Sequence, residues 1–183
     1  GALNVTGDLN VGSGTSLTIG ASSAVTGNLM VDGTLDIGTT TLTLDGTSDK
    51  TISGSAGAAT INGATGTLSI TTADKAIDAG TDLTITPAFA IAASTTITNN
   101  GTITLVDDLT GGNAASTWVN AANSTLNAQA AVLTTGILTA TAANNTVNYS
   151  GSGAQSIKQP SSCQFNYLNC SIAGSKTFST AGT

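Results

Sequence analysis

The chain has 183 residues, enough for one domain with a sizeable core, and a formal charge of −6 from aspartates and lysines alone, since Glu, Arg and His are absent. Four scattered lysines cannot neutralise a phosphate backbone, which excludes nucleic acid as a partner, and no apolar run approaches the length of a membrane span. Helices need Glu, Arg, Lys or Gln for their exposed faces, and charged residues make up 8% here, so abundant Thr, Val, Ile, Gly, Asn and Ser predict an all-β protein.

The predicted strands are short beats of the form L-x-[VI], each closed by a Gly, Asp, Asn or Ser turn. Leu3/Val5 and Leu9/Val11 open the chain in GALNVTGDLNVG, and Leu17/Ile19 follows. The stretch GNLMVDGTLDIG from Gly27 repeats that opening: Leu3 matches Leu29, Val5 matches Val31, Leu9 matches Leu35 and Val11 matches Ile37, at a constant offset of 26 residues. Later beats fall at Leu42/Leu44, Leu68/Ile70, Leu83/Ile85 and Ile103/Leu105, with weaker ones at Ile52, Ile61 and Ile97. The alanine-rich segment NAASTWVNAANSTLNAQAAVLTTGILTATA allows a short capped helix over Asn123 to Leu133, but it has no helical apolar stripe and reads as Ala-lined coils.

Alternation with period two turns each aliphatic pair to one face and Thr, Asn or Asp to the other. A strand this short cannot hide its apolar face alone. Coiling the chain so that each beat stacks on another one turn later makes continuous apolar columns, which predicts a β-solenoid. Three or four beats per coil correspond to about 20–26 residues per turn, hence roughly seven to nine coils over a single module spanning 1–183. A β-sandwich of the same strands is the competing fold.

From Asn99 onward, NNGTITL, STWVNAANSTLNAQ, ILTATAANNTVNYSGSGAQSIK and FNYLNCSIAGSKTF follow one another in order. This order resembles the repeats of very large bacterial surface proteins, well over the C-terminal half and loosely over the N-terminal beats. The resemblance implies an extended β-solenoid adhesin or matrix component, and a K-T-aromatic step followed by a coil of the form V-x-V-x-G-x-L-x-[IV]. Cys163 and Cys170 depart from the usual form of this segment. The resemblance specifies turns and core positions, not a binding partner.

Candidate sites are sparse. Leu168, Cys170 and Ile172 share one parity, which turns Cys170 inward, and Cys163 has the other. A disulfide between Cys163 and Cys170, clipping one coil edge, and a pair of thiols both remain open. Two cysteines without His or a nearby carboxylate are a poor metal set, and no cofactor motif is present. Asp32 with Asp36, and Asp45 with Asp49, match no calcium loop and read as solvated turn carboxylates. Asn4, Asn100, Asn123, Asn144, Asn148 and Asn169 each begin N-x-[ST], a sequence that arises by chance in so Asn- and Thr-rich a chain.

Three functional classes remain. An enzyme on this scaffold would lack His, Arg and Glu for acid–base or oxyanion chemistry; Asp107-Asp108 is the one adjacent carboxylate pair, so no catalysis is expected. A carbohydrate-binding or carbohydrate-active β-helix is the alternative reading, and an ice-binding surface would need ranked threonines, whereas the T-x-T steps at Thr41–Thr43 and Thr96–Thr98 are irregularly spaced. A structural or adhesive module is expected instead, secreted to the outside or the surface of a bacterial cell, with surface glycans or other cells as outside partners. Its ends are expected to be uncapped, as in one unit of a longer array, so that units join head to tail, within a longer chain or between separate copies, through a junction of Gly1, Leu3 and Val5 with Lys176 and Phe178. Lys176-Thr177-Phe178-Ser179 matches Lys50-Thr51-Ile52-Ser53, and joining KTFSTAGT to GALNVTGDLNV continues the beat.

Overall fold

The computed structural model describes residues 1–178 apart from Ala56 and Ala58; the STAGT part of the expected junction lies outside the described residues. The first turn is β1 (Asn4–Val5), β2 (Leu9–Val11) and β3 (Ser16–Thr18), and the second is β4 (Ser23–Val25), β5 (Leu29–Val31) and β6 (Thr34–Asp36). The third comprises β7 (Thr41–Leu44), β8 (Thr51–Ser53) and β9 (Thr60–Asn62), and the fourth β10 (Thr67–Ile70), β11 (Lys75–Ile77) and β12 (Asp82–Ile85). Then come β13 (Ala88–Ile91), β14 (Thr96–Asn99) and β15 (Thr102–Leu105), followed by β16 (Leu109–Gly111), β17 (Thr117–Asn120) and β18 (Thr125–Ala128). The seventh turn has β19 (Ile137–Thr139) and β20 (Thr146–Tyr149), with Val132 bridging to Leu109 in the missing strand's place. The eighth has β21 (Gln155–Ile157) and β22 (Tyr167–Cys170), with Phe165 bridging to Ala140 between them, and β23 (Lys176–Phe178) begins a ninth.

Among the described residues every strand pairing is parallel and joins a strand to its equivalent one turn away. The chain is therefore a parallel β-solenoid of about eight turns with three sides, and the sandwich alternative falls away. The first side runs β1-β4-β7-β10-β13-β16, the second β2-β5-β8-β11-β14-β17-β19, and the third β3-β6-β9-β12-β15-β18-β20-β22. By chain order, β21 and β23 continue the first side as a separate two-stranded sheet. At about 4.8 Å per turn, eight turns span on the order of 40 Å.

Period-two alternation does what the sequence demands: inward residues are buried and outward ones are half-exposed, as in Thr102–Leu105 and Thr146–Tyr149. One inward column on the third side runs Leu17, Leu35, Ile61, Ile85, Leu105, Ala128, Tyr149, Cys170. The weak beats at Ile52, Ile61 and Ile97 are full members, lying in β8, β9 and β14. Phe89 and Trp118 fill the centre edge to face, with ring centroids 5.9 Å apart at 89°. The alanine-rich segment is strand and corner, not helix: Thr125–Ala128 is β18, and Asn123 and Leu133 take left-handed backbone with φ of 62° and 45°.

The register corrects the repeat. Leu9 stacks on Leu29 and Val11 on Val31, not Leu3 and Val5. Turns range from 18 residues, Ser16 to Thr34, to 26, Thr41 to Thr67. The sequence offset of 26 therefore measures one turn plus one side: β1 resembles a strand of the second side, although it lies on the first. The short beat fits any side, and corner length decides which side it takes.

Corners bring backbone against backbone. At Gly46 an added Cβ would stand 1.8 Å from the Thr26 carbonyl oxygen, so only glycine fits there. The same corner holds Lys75, whose stem is buried and whose Nζ donates to the carbonyls of Gly46 at 2.6 Å and Ala73 at 3.2 Å. Lys176 repeats this device near the other end, donating to Gly151 at 2.7 Å and Gly153 at 3.1 Å.

Candidate functional site

A solenoid exposes two kinds of surface: its long sides and its two end faces. On the sides, the carboxylates flagged by the sequence are tied into turns. Asp32 accepts from the Ser55 N–H at 2.9 Å and Asp36 from Gly38 N–H at 2.9 Å. Asp45 accepts from the Thr26 hydroxyl at 3.2 Å. Asp49 is bonded by Lys50 and by the Thr47 hydroxyl, which hold its carboxyl down at about 2. Burial pushes the Lys75 ammonium below its ordinary value, against the pull of Asp74 and Asp45. Asp107 and Asp108 sit in a corner, not on a strand: Asp107 accepts the Asp108 N–H at 2.8 Å, and Asp108 accepts the Ala131 N–H at 2.9 Å. Among the described residues no three His, Cys, Asp or Glu side chains cluster to hold a metal ion.

The third side carries an order that the sequence spacing concealed. The T-x-T steps noted in the sequence lie on different sides, Thr41–Thr43 on the first and Thr96–Thr98 on the second. The aligned array is elsewhere. Outward Thr60, Thr84, Thr104, Asn127, Asn148 and Asn169 form one column, and Asp82, Thr102, Thr125 and Thr146 form another beside it. Their side chains bond along the axis: Asn127 Nδ2 donates to Thr104 Oγ1 at 3.2 Å and Asn148 Nδ2 to Asn127 Oδ1 at 3.2 Å. Turn lengths vary, so the linear sequence shows no period even where the columns are regular.

The end faces hold the remaining predicted residues, and hold them apart. Leu3 and Val5 are half-buried at one end, packed against the core, with Gly1 exposed beside them. The Leu3 N–H donates to Ser23 Oγ at 2.9 Å, and Val5 stacks on Val25. Lys176 and Phe178 lie at the opposite end in β23. Phe178 stacks on Ile157, yet Ile157 is 2% exposed and Phe178 56%. Cys170 likewise stacks on fully buried Tyr149 and is itself exposed. The parity argument thus placed Cys170 in the right column, but no further described turn covers it. Cys163, in a left-handed turn with φ 57°, is also exposed, and both cysteines are free thiols. Tyr167 and Ile172 add exposed apolar surface at this end.

Each end is also an open sheet edge among the described residues. β1, β2 and β3 each pair on one edge only, with β4, β5 and β6, while β22 and β23 each pair on one edge with β20 and β21. Parallel edges of the same polarity at opposite ends are complementary: one end offers the upper edge of a ladder and the other the lower. The chain matches no protein-family model, no curated protein and no solved structure.

Proposed function

We propose that this chain is a non-catalytic structural module that stacks end to end into an extended fibre or stalk, outside the cell or at its surface. The observation that carries the reading is the contrast at the open end. Phe178 and Cys170 continue inward columns whose preceding members, Ile157 and Tyr149, are buried, yet both are exposed. Half-filled apolar columns beside unpaired parallel edges favour another coil on top, supplied by the next unit of a longer chain or by a second copy's first turn. Such a contact is heterologous and does not close on itself, so repetition makes a fibre. Surface glycans or other cells are the partners that an adhesive version would meet.

Electron microscopy of the purified chain across a range of concentrations tests the reading. Unbranched fibres with an axial repeat on the order of 40 Å are expected from about 4.8 Å per turn. Monodisperse monomers at every concentration would sink it.

The ranked third side supports a second reading, in which this face orders a regular lattice such as ice. Its hydroxyl and amide columns repeat about every 4.8 Å along the axis and stand about 6.7 Å apart along the strands. Thermal hysteresis that is lost on Thr104→Lys would support it, and its absence in the unaltered protein would remove it.

A further inference from the structure

We infer that the corner between the second and third sides is an acceptor site for an N-linked sugar, with Asn123 as the residue that takes it. The site is independent of end-to-end stacking, because Asn123 lies between β17 and β18 in the sixth turn, on the flank of the solenoid.

The fold turns three scattered N-x-T sequences into one ladder. Asn100, Asn123 and Asn144 each stand two residues before the first residue of a third-side strand, β15, β18 and β20. The threonines that complete them, Thr102, Thr125 and Thr146, pair in register over three successive turns. Spacings of 23 and then 21 residues hide this alignment in the linear sequence. Asn123 and Asn144 take left-handed backbone, with φ of 62° and 59°, and both are exposed. The residue after each turns inward and fixes the corner: the Ser124 hydroxyl donates to the Ala121 carbonyl at 2.8 Å, and the Asn145 amide to the Asn120 carbonyl at 2.8 Å. Ala121-Ala122 and Ala142-Ala143 lead into the two turns, and no charged residue occurs between Asp108 and Lys158. A transferring enzyme thus meets a fixed, neutral turn with small neighbours and an outward carboxamide, the surface-loop setting this modification needs.

Hydrogen bonding ranks the six N-x-[ST] asparagines. The half-buried Asn100 amide is turned onto the turn below, donating to the Ile77 carbonyl at 3.0 Å. The Asn148 amide donates to Asn127 Oδ1 at 3.2 Å, and the Ser150 hydroxyl that completes its sequence is buried. Asn4 and Asn169 are held within strands, β1 and β22, where the backbone is fixed by its ladder. Asn144 has the right turn, but its amide donates to Asn123 Oδ1 at 3.1 Å. Asn123 is left with its amide nitrogen clear: among the described residues its side chain only accepts, through Oδ1, and the half-exposed Thr125 hydroxyl makes no hydrogen bond.

The sugar arrives activated, its anomeric carbon bonded to the diphosphate of a nucleotide or of a lipid carrier. Asn123 Nδ2 attacks that carbon. The C–N bond forms as the C–O bond to phosphate breaks, the diphosphate leaves with the electron pair, and one amide proton passes to a base of the transferring enzyme. The Thr125 hydroxyl is the group by which the enzyme reads the acceptor. The product keeps Asn123 Oδ1, so the bond from Asn144 and the corner itself survive the modification.

Tandem mass spectrometry of the protein recovered from its native cells maps the sugar. Asn123 is expected to carry it, at higher occupancy than any other N-x-[ST] asparagine. A single hexose identifies a nucleotide donor and a preassembled oligosaccharide a lipid-linked one, and either supports the site. Thr125→Val, an outward exchange of nearly equal shape, should lower the occupancy by about tenfold or more, and Thr125→Ser should retain it. If Thr125→Val fails to fold, Asn123→Gln in its place should remove the sugar from this turn. An unmodified Asn123, equal or higher occupancy at another asparagine, or a sugar that persists in Thr125→Val would overturn the assignment.

Discussion

Asn99 and Asn120 face inward, fully buried, and the Asn99 side-chain amide donates to Asn120 Oδ1 at 2.9 Å across successive turns. They occupy a column that is apolar in every earlier turn, where Leu9, Leu29, Ile52 and Ile77 precede them. The pair is extensively satisfied. Asn99 Nδ2 also donates to the Thr125 carbonyl at 3.1 Å, Asn120 Nδ2 to that of Thr146 at 2.9 Å, and Asn99 Oδ1 accepts the Gly101 N–H at 3.1 Å. The ladder thus pins the corner between second and third sides across three turns.

Asn120→Ala removes the acceptor for Asn99 and the donor for Thr146, and leaves a cavity beside both. Stranded buried polar groups cost roughly 1–3 kcal/mol each, so a loss of about 2–4 kcal/mol is expected in urea denaturation. A loss below about 0.5 kcal/mol would show that the ladder is dispensable.

Gly46→Ala is expected to be destabilising by roughly 1–3 kcal/mol, because the new methyl meets the rigid Thr26 carbonyl and not a side chain that can move. At Gly20 nothing stands within 4 Å of an added Cβ, and Gly20→Ala should fall within about 0.5 kcal/mol of the parent. Thermal melts of the two variants side by side check the contrast.

Tyr149 lies buried beneath Cys170, its hydroxyl accepting the Lys158 N–H at 2.9 Å. Burial pushes its phenol from 10.0 up to about 12, against the pull of that hydrogen bond. With the folded value above the unfolded one, the folded chain holds the proton more tightly. The stabilisation is complete below about pH 10 and is lost as pH rises toward about 12, a change of about 2–3 kcal/mol. Tyr149→Phe should flatten that alkaline slope in denaturant titrations, while costing about 1 kcal/mol at neutral pH through the stranded Lys158 N–H. An unchanged slope would rule Tyr149 out as its source.

Phe178→Glu places a carboxylate on the open end, where the parent side chain is already more than half exposed. The melting temperature of the isolated module should therefore hardly move. Association measured by sedimentation should weaken by about tenfold or more, equivalent to ~1.4 kcal/mol, because the join would bury the charge. Equal association of variant and parent would place the contact elsewhere.

Much of this protein was legible in the order of its residues. Thr and Asn alternating with Leu, Ile and Val, in beats too short to stand alone, determined that the chain is all β and that it coils. Parity sorted most side chains into inward and outward, including Cys170, whose column is apolar below it. Three things were decided only by the tertiary structure. Asn99 and Asn120 turn inward because the corner behind them supplies the acceptors they need, and no local pattern announces that supply. The third side ranks its Thr and Asn because corners of unequal length bring unequal stretches of sequence into register. The beat at Leu3 lies on the first side although it matches the beat at Leu29 on the second, since a strand of two or three residues fits any side equally well. Local alternation is a property of neighbouring residues. Side and register depend on how much chain each corner absorbs, and that is set by stacking on the turn below.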